Sequence, residues 1–404
     1  MAGRDDQRVI RNRKERKKES KLHFYDSFVC TASDCPFTCC QEWAIGVDDR
    51  TYACWQKKLK LNVAATVTTN ESGSGYKIAL NDKRECPYLT KEDLCSLVLR
   101  YGDSVLSDTC AGFPREIHAF SNRIEKTLVS CCPEVVDFLN REKVQIVGEA
   151  DFSWGNTEEE QDEKLLYDLR RDMMRLLGDE GYSLLLAYQM IFYIQLDAMR
   201  HYYEDGEWIY ERDQYFHGKI LEEMSQTIRN LLVDRRATLQ ERNELFLDLV
   251  ANYREQGMYT RALQPVLMQA EALESLLESS EKTEAIEHLL LSYGKFEEEL
   301  SAYTGLFRNF LVAELFTNLV KPLSDMESVT VMLQWIGMEW AGMMHVLFLQ
   351  WLADGQKLSY EEIREWIVLI SRMMGYDEDD IFEYMENCFE DLIWEWGYLH
   401  LLLP

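Results

Sequence analysis

The chain has 404 residues, of which 47% are hydrophobic and 12% aromatic, and its formal net charge is −28. A chain of this length is expected to divide into two or three domains with well-packed cores. A surface this acidic repels polyanions, so we expect neither nucleic acid nor a membrane as a partner.

The N-terminal segment differs from the rest of the chain in charge. Residues 1–22 contain nine Lys or Arg and four Asp or Glu residues, and they predict a basic, mobile tail. They contain no apolar secretion signal, and no stretch of 18 apolar residues occurs further along. We therefore expect a soluble, cytoplasmic protein, in which thiols stay reduced and clustered cysteines indicate a metal before disulfides.

Residues 23–153 are predicted to form a cysteine-rich, metal-binding α+β domain. Ten of the eleven cysteines lie between Cys30 and Cys132. The segments GYKIAL (75–80) and RIEKTLVS (123–130) indicate short strands, the second by its alternation of apolar and polar residues.

Residues 154–404 are predicted to form an all-α domain, so the fold class is mainly α. No proline occurs from 134 to 264, and apolar residues recur at helical spacing. The polar segment WGNTEEEQDE (154–163) predicts a linker at the domain boundary. Helices are predicted from EVVDFLN onward and near 163–177, 182–203, 213–234, 237–255, 262–279, 283–303, 305–320, 329–352, 359–374 and 378–402.

Two of these helices are apolar enough to lie in the middle of a bundle. They are the segments 182–203 and 329–352. Ser324 and Glu327 predict a capping box ahead of the second one, and a further domain boundary is placed near 322–326.

The cysteine spacing indicates a thiolate metal site. The first group is Cys-x4-Cys-x3-Cys-Cys, beginning at Cys30, the second is Cys-x8-Cys-x14-Cys, beginning at Cys86, and the third is a pair ending at Cys132. Soft thiolates at this density select zinc, copper(I) or an iron–sulfur cluster. No CxxC is present and histidine is scarce, which favours four-cysteine ligation of a [4Fe–4S] cluster, with zinc as the alternative. Cys54 and Cys388 are interpreted as packing residues.

The cysteine segments together resemble one protein family. FVCTASDCPFTCCQEWAIGVD, CPYL followed by LC, LSDTCAGFPRE and SCCPE are similar, in the same order, to motifs of the bacterial flagellin lysine N-methylases. LFRNFLVAELFTNLV (306–320) also resembles a later helical segment of that family.

The resemblance implies transfer of methyl groups from S-adenosylmethionine to lysine side chains of flagellin, together with one or two [4Fe–4S] clusters. Cys131 takes the place of a small residue in the SCPE element, so it is not among the implied ligands. The family's cysteines correspond to Cys30, Cys35, Cys39, Cys40, Cys86, Cys95, Cys110 and Cys132.

Two common signatures of methyl-transfer proteins are absent from the sequence. No glycine-rich loop follows a predicted strand, and strands and helices do not alternate. Glu42 stands where a CxxxCxxC radical motif would have its third cysteine. The S-adenosylmethionine site is therefore not located by motif, and the catalytic residues stay unassigned.

Five polar or aromatic residues near the cysteines are candidates for other roles. Arg115 is predicted to bind the cofactor carboxylate or to pair with a neighbouring acid. Trp43 is predicted to shield a cluster from water or to stack on the adenine. Asp108 is interpreted as a cap of the turn before Cys110, and Glu116 and Glu134 as solvated acids or, less favoured, a catalytic base.

Lysine methylation requires a neutral amine, whose unperturbed pKa is about 10.4. A desolvated slot, a carboxylate or a tyrosine can favour loss of the proton. The neutral amine is a good nucleophile, so a cluster would serve structure or cofactor anchoring and no radical step is needed. The alternative function is a non-catalytic zinc- or iron-binding scaffold.

Overall fold

The computed structural model describes residues 17–69, 75–148, 152–204, 209–278, 283–375 and 378–404. These residues contain seven strands and seventeen α-helices. The strands are β1 (Lys18–Leu22), β2 (Gly46–Val47), β3 (Val67–Thr69), β4 (Tyr76–Ile78), β5 (Arg115–Ala119), β6 (Arg123–Leu128) and β7 (Ile146–Gly148).

The helices occupy most of the chain after the sheets, as the mainly α prediction required. They are α1 (Asp49–Lys57), α2 (Val63–Thr66), α3 (Ser96–Tyr101), α4 (Asp108–Gly112), α5 (Pro133–Arg141), α6 (Glu158–Leu177), α7 (Leu184–Glu204), α8 (Arg212–Phe216), α9 (Gly218–Arg229), α10 (Arg235–Glu255), α11 (Thr260–Leu277), α12 (Thr283–Leu300), α13 (Thr304–Asn318), α14 (Met326–Ala353), α15 (Tyr360–Met374), α16 (Glu378–Phe389) and α17 (Trp396–Leu402).

The strands form two small sheets. The larger has the order β5–β6–β1–β7, in which only the β1–β6 pair is parallel. The smaller is antiparallel, in the order β2–β4–β3. The strand predictions at 75–80 and 123–130 are confirmed as β4 and β6.

The prediction of a mobile tail over 1–22 is wrong for its last five residues. Lys18–Leu22 is strand β1, which pairs with β6 on one side and β7 on the other. The alternation in KESKL buries Ser20 and Leu22 while Lys126 pairs with Glu19 at 2.8 Å. The net charge of the segment does not reveal this alternation of side chains, whose period of two residues is that of a strand. Residues 1–16 lie outside the described part of the chain.

The predicted linker over 154–163 is helical in its second half. Thr157 caps α6, with Glu160 completing a capping box. Three glutamates occupy the first turn, where negative charge favours a helix. A run of acids that looked like a polar linker is therefore a helix start.

Two hydrophobic cores hold the structure together. The smaller contains residues between Ile45 and Val105 and supports the three-stranded sheet. The larger begins at Leu22 and continues through the sheet and the helices to Leu403. The four-stranded sheet thus shares a core with the helical bundle, on both sides of position 153.

Helix α14 is the central helix of the bundle. It has 28 residues and is buried along almost its whole length, as its apolar sequence predicts. It packs against α7, α10, α11 and α15. Among the described helices, α14 included, none is long and apolar enough to cross a bilayer.

Three of the predicted helix boundaries are wrong. Asp325 caps α14 with Ser328 as its partner, so Ser324 and Glu327 do not form the capping box. Ser324 Oγ instead accepts from the amide of Lys321 at 2.9 Å. The segment 213–234 breaks into α8 and α9, and 378–402 breaks into α16, a 3-10 turn and α17.

A buried ion-pair network joins the larger sheet to the bundle. Glu125 on β6 accepts two hydrogen bonds from Arg170 on α6, at 2.6 and 2.8 Å, and one from Arg123 at 2.7 Å. The side chains of Glu125 and Arg170 are 2% and 3% exposed. Burial makes such a pair costly to break, because it leaves an uncompensated charge.

Replacing Arg170 with Gln is expected to lower the free energy of unfolding by about 3 kcal/mol, near the lower end for a broken buried pair because Arg123 still contacts Glu125. Urea unfolding measures this. The matched control is Arg235→Gln, which breaks an exposed pair with Glu297 and should cost less than about 1 kcal/mol. Equal effects of the two variants would contradict the role given to the buried network.

Candidate functional site

A cavity of about 350 Å³ lies where the cysteine-rich region meets the helical bundle. This volume is within the range of small-molecule sites. One wall consists of segments around β5 and α4, and the other of α13, α14 and α15. Trp43, Phe113 and Trp335 give the cavity an aromatic lining.

The cysteine-segment motifs supply one wall of the cavity. Phe113 and Arg115 come from the segment LSDTCAGFPRE, Ser130 and Cys131 from SCCPE, and Trp43 from the first cysteine segment. Segments that are distant in sequence therefore meet at one site, because α4 leads into β5 and β6 returns beside it.

Arg115 has a guanidinium with unused donors at the cavity wall. It donates to the carbonyl oxygen of Phe28 at 3.0 Å and lies over the Phe28 ring at 4.9 Å. No carboxylate in the described part of the chain forms an ion pair with it. The salt-bridge alternative for Arg115 therefore finds no partner among these residues, and the group is available to an anion.

Trp43 is fixed between the two walls. Its Nε1 donates to the carbonyl of Cys39 at 2.6 Å, and its ring contacts Phe113 edge-on at 5.0 Å. On the other side, the guanidinium of Arg372 lies 5.7 Å from the Trp43 ring. Trp43 thus both lines the cavity and covers the backbone of a cysteine.

Arg372 ties α15 to the cysteine loops. This buried side chain donates to the carbonyl oxygens of Cys131, Thr38 and Phe37, at 3.1, 3.1 and 3.3 Å. It also lies 4.5 Å from the Phe37 ring. The sequence pattern around this arginine does not distinguish it from a surface residue of an amphipathic helix.

The helical wall carries two buried acids. Glu314 on α13 accepts from Ser130 Oγ at 2.8 Å and from Asn318 Nδ2 at 2.6 Å. Glu339 on α14 accepts from Ser371 Oγ at 2.9 Å. The two residues are 5% and 6% exposed.

Both acids bind their protons more tightly than an exposed glutamate. Burial raises the pKa of Glu339 well above its ordinary value, and the neighbouring Glu314 raises it further, against the hydrogen bond from Ser371. Burial likewise raises the pKa of Glu314, while Ser130 and Asn318 act in the opposite direction. Lys321, which also lines the cavity, lowers the pKa of Glu314.

Five of the eight predicted ligand cysteines converge beside the smaller core. Cys39 and Cys40 interact with each other, and both interact electrostatically with Cys110. Cys86 interacts with Cys40, Cys95 and Cys110, and Cys95 also interacts with Cys110. The backbone amide of Cys86 donates to the carbonyl of Cys40 at 2.8 Å, which joins the first and second groups.

The thiols of this cluster have shifted acidities. Cys39 donates to Cys40, which raises the pKa of Cys39 and lowers that of Cys40. Burial raises the pKa of Cys86 to about 12. A metal bound at Cys86 would therefore have to displace a proton at neutral pH.

The other cysteines have different surroundings. Cys35 interacts electrostatically with Cys132, whose pKa burial raises to about 11. Cys30 is exposed, and its sulfur accepts from the amide of Ala32 at 3.4 Å. Cys54 is half-buried on α1, whereas Cys388 is exposed, so the packing interpretation of Cys388 is wrong.

The donor chemistry of the cysteines fits zinc or an iron–sulfur cluster, but their arrangement is not a ligand shell. Among the described residues, no three His, Cys, Asp or Glu side chains lie close enough together to hold a metal ion. Ligation by the eight predicted cysteines stays a prediction, and no chemical step is derived through a metal.

Three of the remaining candidates have structural partners. The cap of α4 is Ser107, which accepts from the amide of Cys110, so Asp108 is not the cap. Asp108 pairs with Arg50 at 2.9 Å. Glu134 pairs with Arg141 at 2.7 Å, while Glu116 lines the cavity and lies 3.4 Å from His118.

Glu314, Glu339 and Arg372 were missed by sequence reasoning, and two of them had a usable signal. Glu314 lies inside LFRNFLVAELFTNLV, and Glu339 is an acid in the apolar segment 329–352. Acids are almost never fully buried unless they are paired, so an acid in a helix that is apolar all round marks a special site. Arg372 had no such signal, because it follows an ordinary amphipathic pattern.

Comparisons with known proteins agree with these features. Three features define the class of protein: a cysteine-rich region, a helical bundle and an acid-lined cavity between them. The family model described as the FliB lysine N-methylase C-terminal domain matches residues 173–402. This is more than half of the chain, which therefore belongs to the FliB lysine N-methylase family, and the resemblance inferred from the motifs is confirmed.

Individual relatives come from Salmonella. The flagellar biosynthetic protein FliU of Salmonella muenchen is 30% identical over 138 residues, which are 31% of this chain and 79% of FliU. The lysine-N-methylases of Salmonella typhimurium and Salmonella choleraesuis are 32% and 31% identical over 123 residues, or 28% of this chain. Each match spans only 30% of the methylase. No solved structure matches.

Replacing Glu339 with Gln is expected to flatten the dependence of unfolding free energy on pH. The folded protein holds this proton more tightly than the unfolded chain, where the pKa is about 4.3. Stability from this group is complete below the unfolded pKa and is lost as pH rises through the folded one. The loss is about 1.4 kcal/mol for each pH unit between the two values.

Urea unfolding of the two proteins over a pH series measures this difference. The exposed Glu287, also on a helix, provides the control substitution Glu287→Gln, which should leave the wild-type slope unchanged. If the Glu339→Gln protein keeps the wild-type slope as well, Glu339 titrates alike in the folded and unfolded states.

Proposed function

We propose that this protein transfers methyl groups from S-adenosylmethionine to lysine side chains of flagellin, and that the transfer takes place in the cavity. Family membership supports the reaction class, and the names of the relatives, lysine-N-methylase and flagellar biosynthetic protein, support the substrate. The observation that carries the proposal is the meeting of the motif segments with two buried acids in one aromatic cavity.

The cavity residues fit a cofactor that has a carboxylate and an aromatic base. Arg115 has unused donors and no carboxylate partner among the described residues, so it would hold the carboxylate end. Trp43 would offer its ring to the base. S-adenosylmethionine, when bound, supplies an electrophilic methyl group on a positively charged sulfur.

The chain's own contribution is to position and deprotonate the lysine. Phe113 and Trp335 line the cavity and would exclude water around the alkyl chain of the lysine. A water-poor site disfavours the charged amine, and a carboxylate within reach accepts its proton. No redox step is required by this scheme.

We further propose that the cysteine-rich region binds a [4Fe–4S] cluster through some of the eight motif cysteines, with zinc as the alternative metal. Cys39, Cys40, Cys86, Cys95 and Cys110 are the candidate ligands that influence one another electrostatically, and they would have to move closer together to form a ligand shell. Trp43, bonded to the carbonyl of Cys39, would shield that site from the cavity.

Metal and acid-labile sulfide analysis after anaerobic purification tests the cofactor proposal. We expect about four iron atoms and four sulfides per chain with a broad visible absorption, as one cubane cluster requires. About eight of each would indicate two clusters. Zinc without sulfide would replace the cluster proposal by a structural thiolate site.

Methyl transfer to a purified, unmethylated flagellin, followed with radiolabelled S-adenosylmethionine and mass spectrometry of lysines, tests the reaction. Arg115→Met is expected to raise the KM for S-adenosylmethionine about tenfold, with a smaller change in kcat, because one charge-assisted contact of about 1.4 kcal/mol is lost. The control is Arg100→Met, which changes an exposed arginine on α3.

Two results would contradict the proposal. An unchanged KM in Arg115→Met would remove Arg115 from the cofactor site. No label on flagellin with the metal-loaded wild-type protein would favour the non-catalytic metal-binding scaffold.

A further inference from the structure

Glu314 and Glu339 are buried acids without a cationic partner. In the described part of the chain neither forms an ion pair, and their hydrogen bonds come from Ser130, Asn318 and Ser371, which are all neutral. From the described residues, Glu339 accepts only the bond from Ser371, at Oε1. Its Oε2 is therefore left for an occupant of the cavity that both acids line.

Two other buried acids of this chain do have cationic partners. Glu125 is 2% exposed and contacts two arginines, and Asp172 is 1% exposed and also contacts arginines. Burying a carboxylate without a cation is unfavourable, so fold stability alone does not explain Glu314 and Glu339. An unpaired acid at a cavity wall is explained if the cation comes with the ligand.

The cavity favours an organic cation over a metal ion. Hard metal ions need six or more oxygen ligands, and no group of three metal-binding side chains is placed for one within the described residues. Trp43 and Trp335, in contrast, present aromatic surface in the same cavity. Carboxylates with aromatic rings are the chemistry that binds alkylammonium groups.

We infer that Glu339, with Glu314 beside it, binds the ammonium group of the substrate lysine and takes its proton. This inference rests on the proposed function for the identity of the substrate. Glu339 is the proton acceptor because its Oε2 is not hydrogen-bonded, whereas both oxygens of Glu314 already accept bonds. Glu314 is a positioning residue that keeps negative charge next to Glu339.

Charged and titratable groups surround Glu314 and Glu339 on several neighbouring elements. Glu314 on α13 raises the pKa of Glu339, and burial together with the charges of both acids raises the pKa of Tyr188 on α7. Glu116 on β5 and Lys321 after α13 act on Glu314 with opposite signs. Arg372 on α15 lines the same cavity, next to Ser371.

The proposed step balances in protons and charge. One N–H bond of the ammonium breaks and an O–H bond forms on Glu339, which leaves a neutral amine and a neutral carboxylic acid. The amine lone pair then forms the N–C bond as the C–S bond of the methyl donor breaks. The positive charge moves from sulfur to the methylated nitrogen, and the bond electrons stay on sulfur as a thioether.

The pH dependence of single-turnover methyl transfer tests proton acceptance. In the wild type the rate should rise as Glu339 ionises, at a pH above that of an exposed carboxyl, because burial and Glu314 raise its pKa. Glu339→Gln should lower the rate at neutral pH by about 10²–10⁴-fold. Its remaining activity should rise only toward the pKa of free lysine, about 10.4.

Conservative and control variants separate this role from a structural one. Glu339→Asp should recover part of the rate with an acid limb, because a carboxylate remains. Glu241→Gln alters a half-buried acid whose pKa burial also raises but which does not line the cavity, and it should keep the wild-type profile. A wild-type rate and profile in Glu339→Gln would overturn the inference while the methylase proposal stands.

Calorimetric binding of n-butylamine, as its ammonium ion, tests the amine site without methyl transfer. The dissociation constant should rise at least tenfold in Glu339→Gln and stay unchanged in Glu241→Gln. If the protein transfers no methyl group but shows this difference, the methylase proposal fails and the ammonium site stands. Equal binding to both variants and the wild type would overturn the ammonium site.

Discussion

The cavity depends on one buried guanidinium, that of Arg372. The loops that carry Phe37, Thr38 and Cys131 have irregular backbone, and their carbonyl oxygens have no strand or helix partner at this point. Buried carbonyls need donors, and an arginine offers five in a fixed planar arrangement. By bonding all three, Arg372 holds two cysteine loops against α15 and thereby sets the distance between the cavity walls.

This arrangement also explains how acids are kept inside the protein. The wall that contains Glu314 and Glu339 faces a wall that contains Arg115, with Lys321 at the end of α13. Positive groups therefore lie in the cavity lining without neutralising the acids by direct contact. Both carboxyl groups therefore stay without a direct cationic contact among the described residues, and the cavity has room for a cation. A site of this kind sacrifices stability for a binding property.

The cysteine-rich region has its own small core, which explains its local order. Trp55 is buried there and donates from Nε1 to the carbonyl of Val105 at 2.7 Å. Cys40 and Cys95 pack against that core and Cys86 is part of it. The thiols are thus gathered by ordinary hydrophobic packing, while the four-stranded sheet belongs to the core of the bundle.

Periodicity predicted most of the helices and both tested strands, since those signals are local. The prediction failed where a charged segment is compatible with two structures. The basic segment at β1 was predicted to be a tail, and the acidic start of α6 was predicted to be a linker. Arg115 and Trp43, which line the cavity, were candidates from the sequence. Glu314 and Glu339, on the opposite wall, were not. Spacing along a chain does not show which face of α13 will meet α14.

The sequence by itself determined the class of structure and the family, because composition, helical period and the ordered cysteine motifs are properties of short segments. Only the tertiary structure decided which of these segments share a site. The pairing of β1 with β6, the reach of Arg372 from α15 to the cysteine loops, and the meeting of Glu314 with Ser130 all join residues more than 100 positions apart. Such contacts are set by how the cores pack.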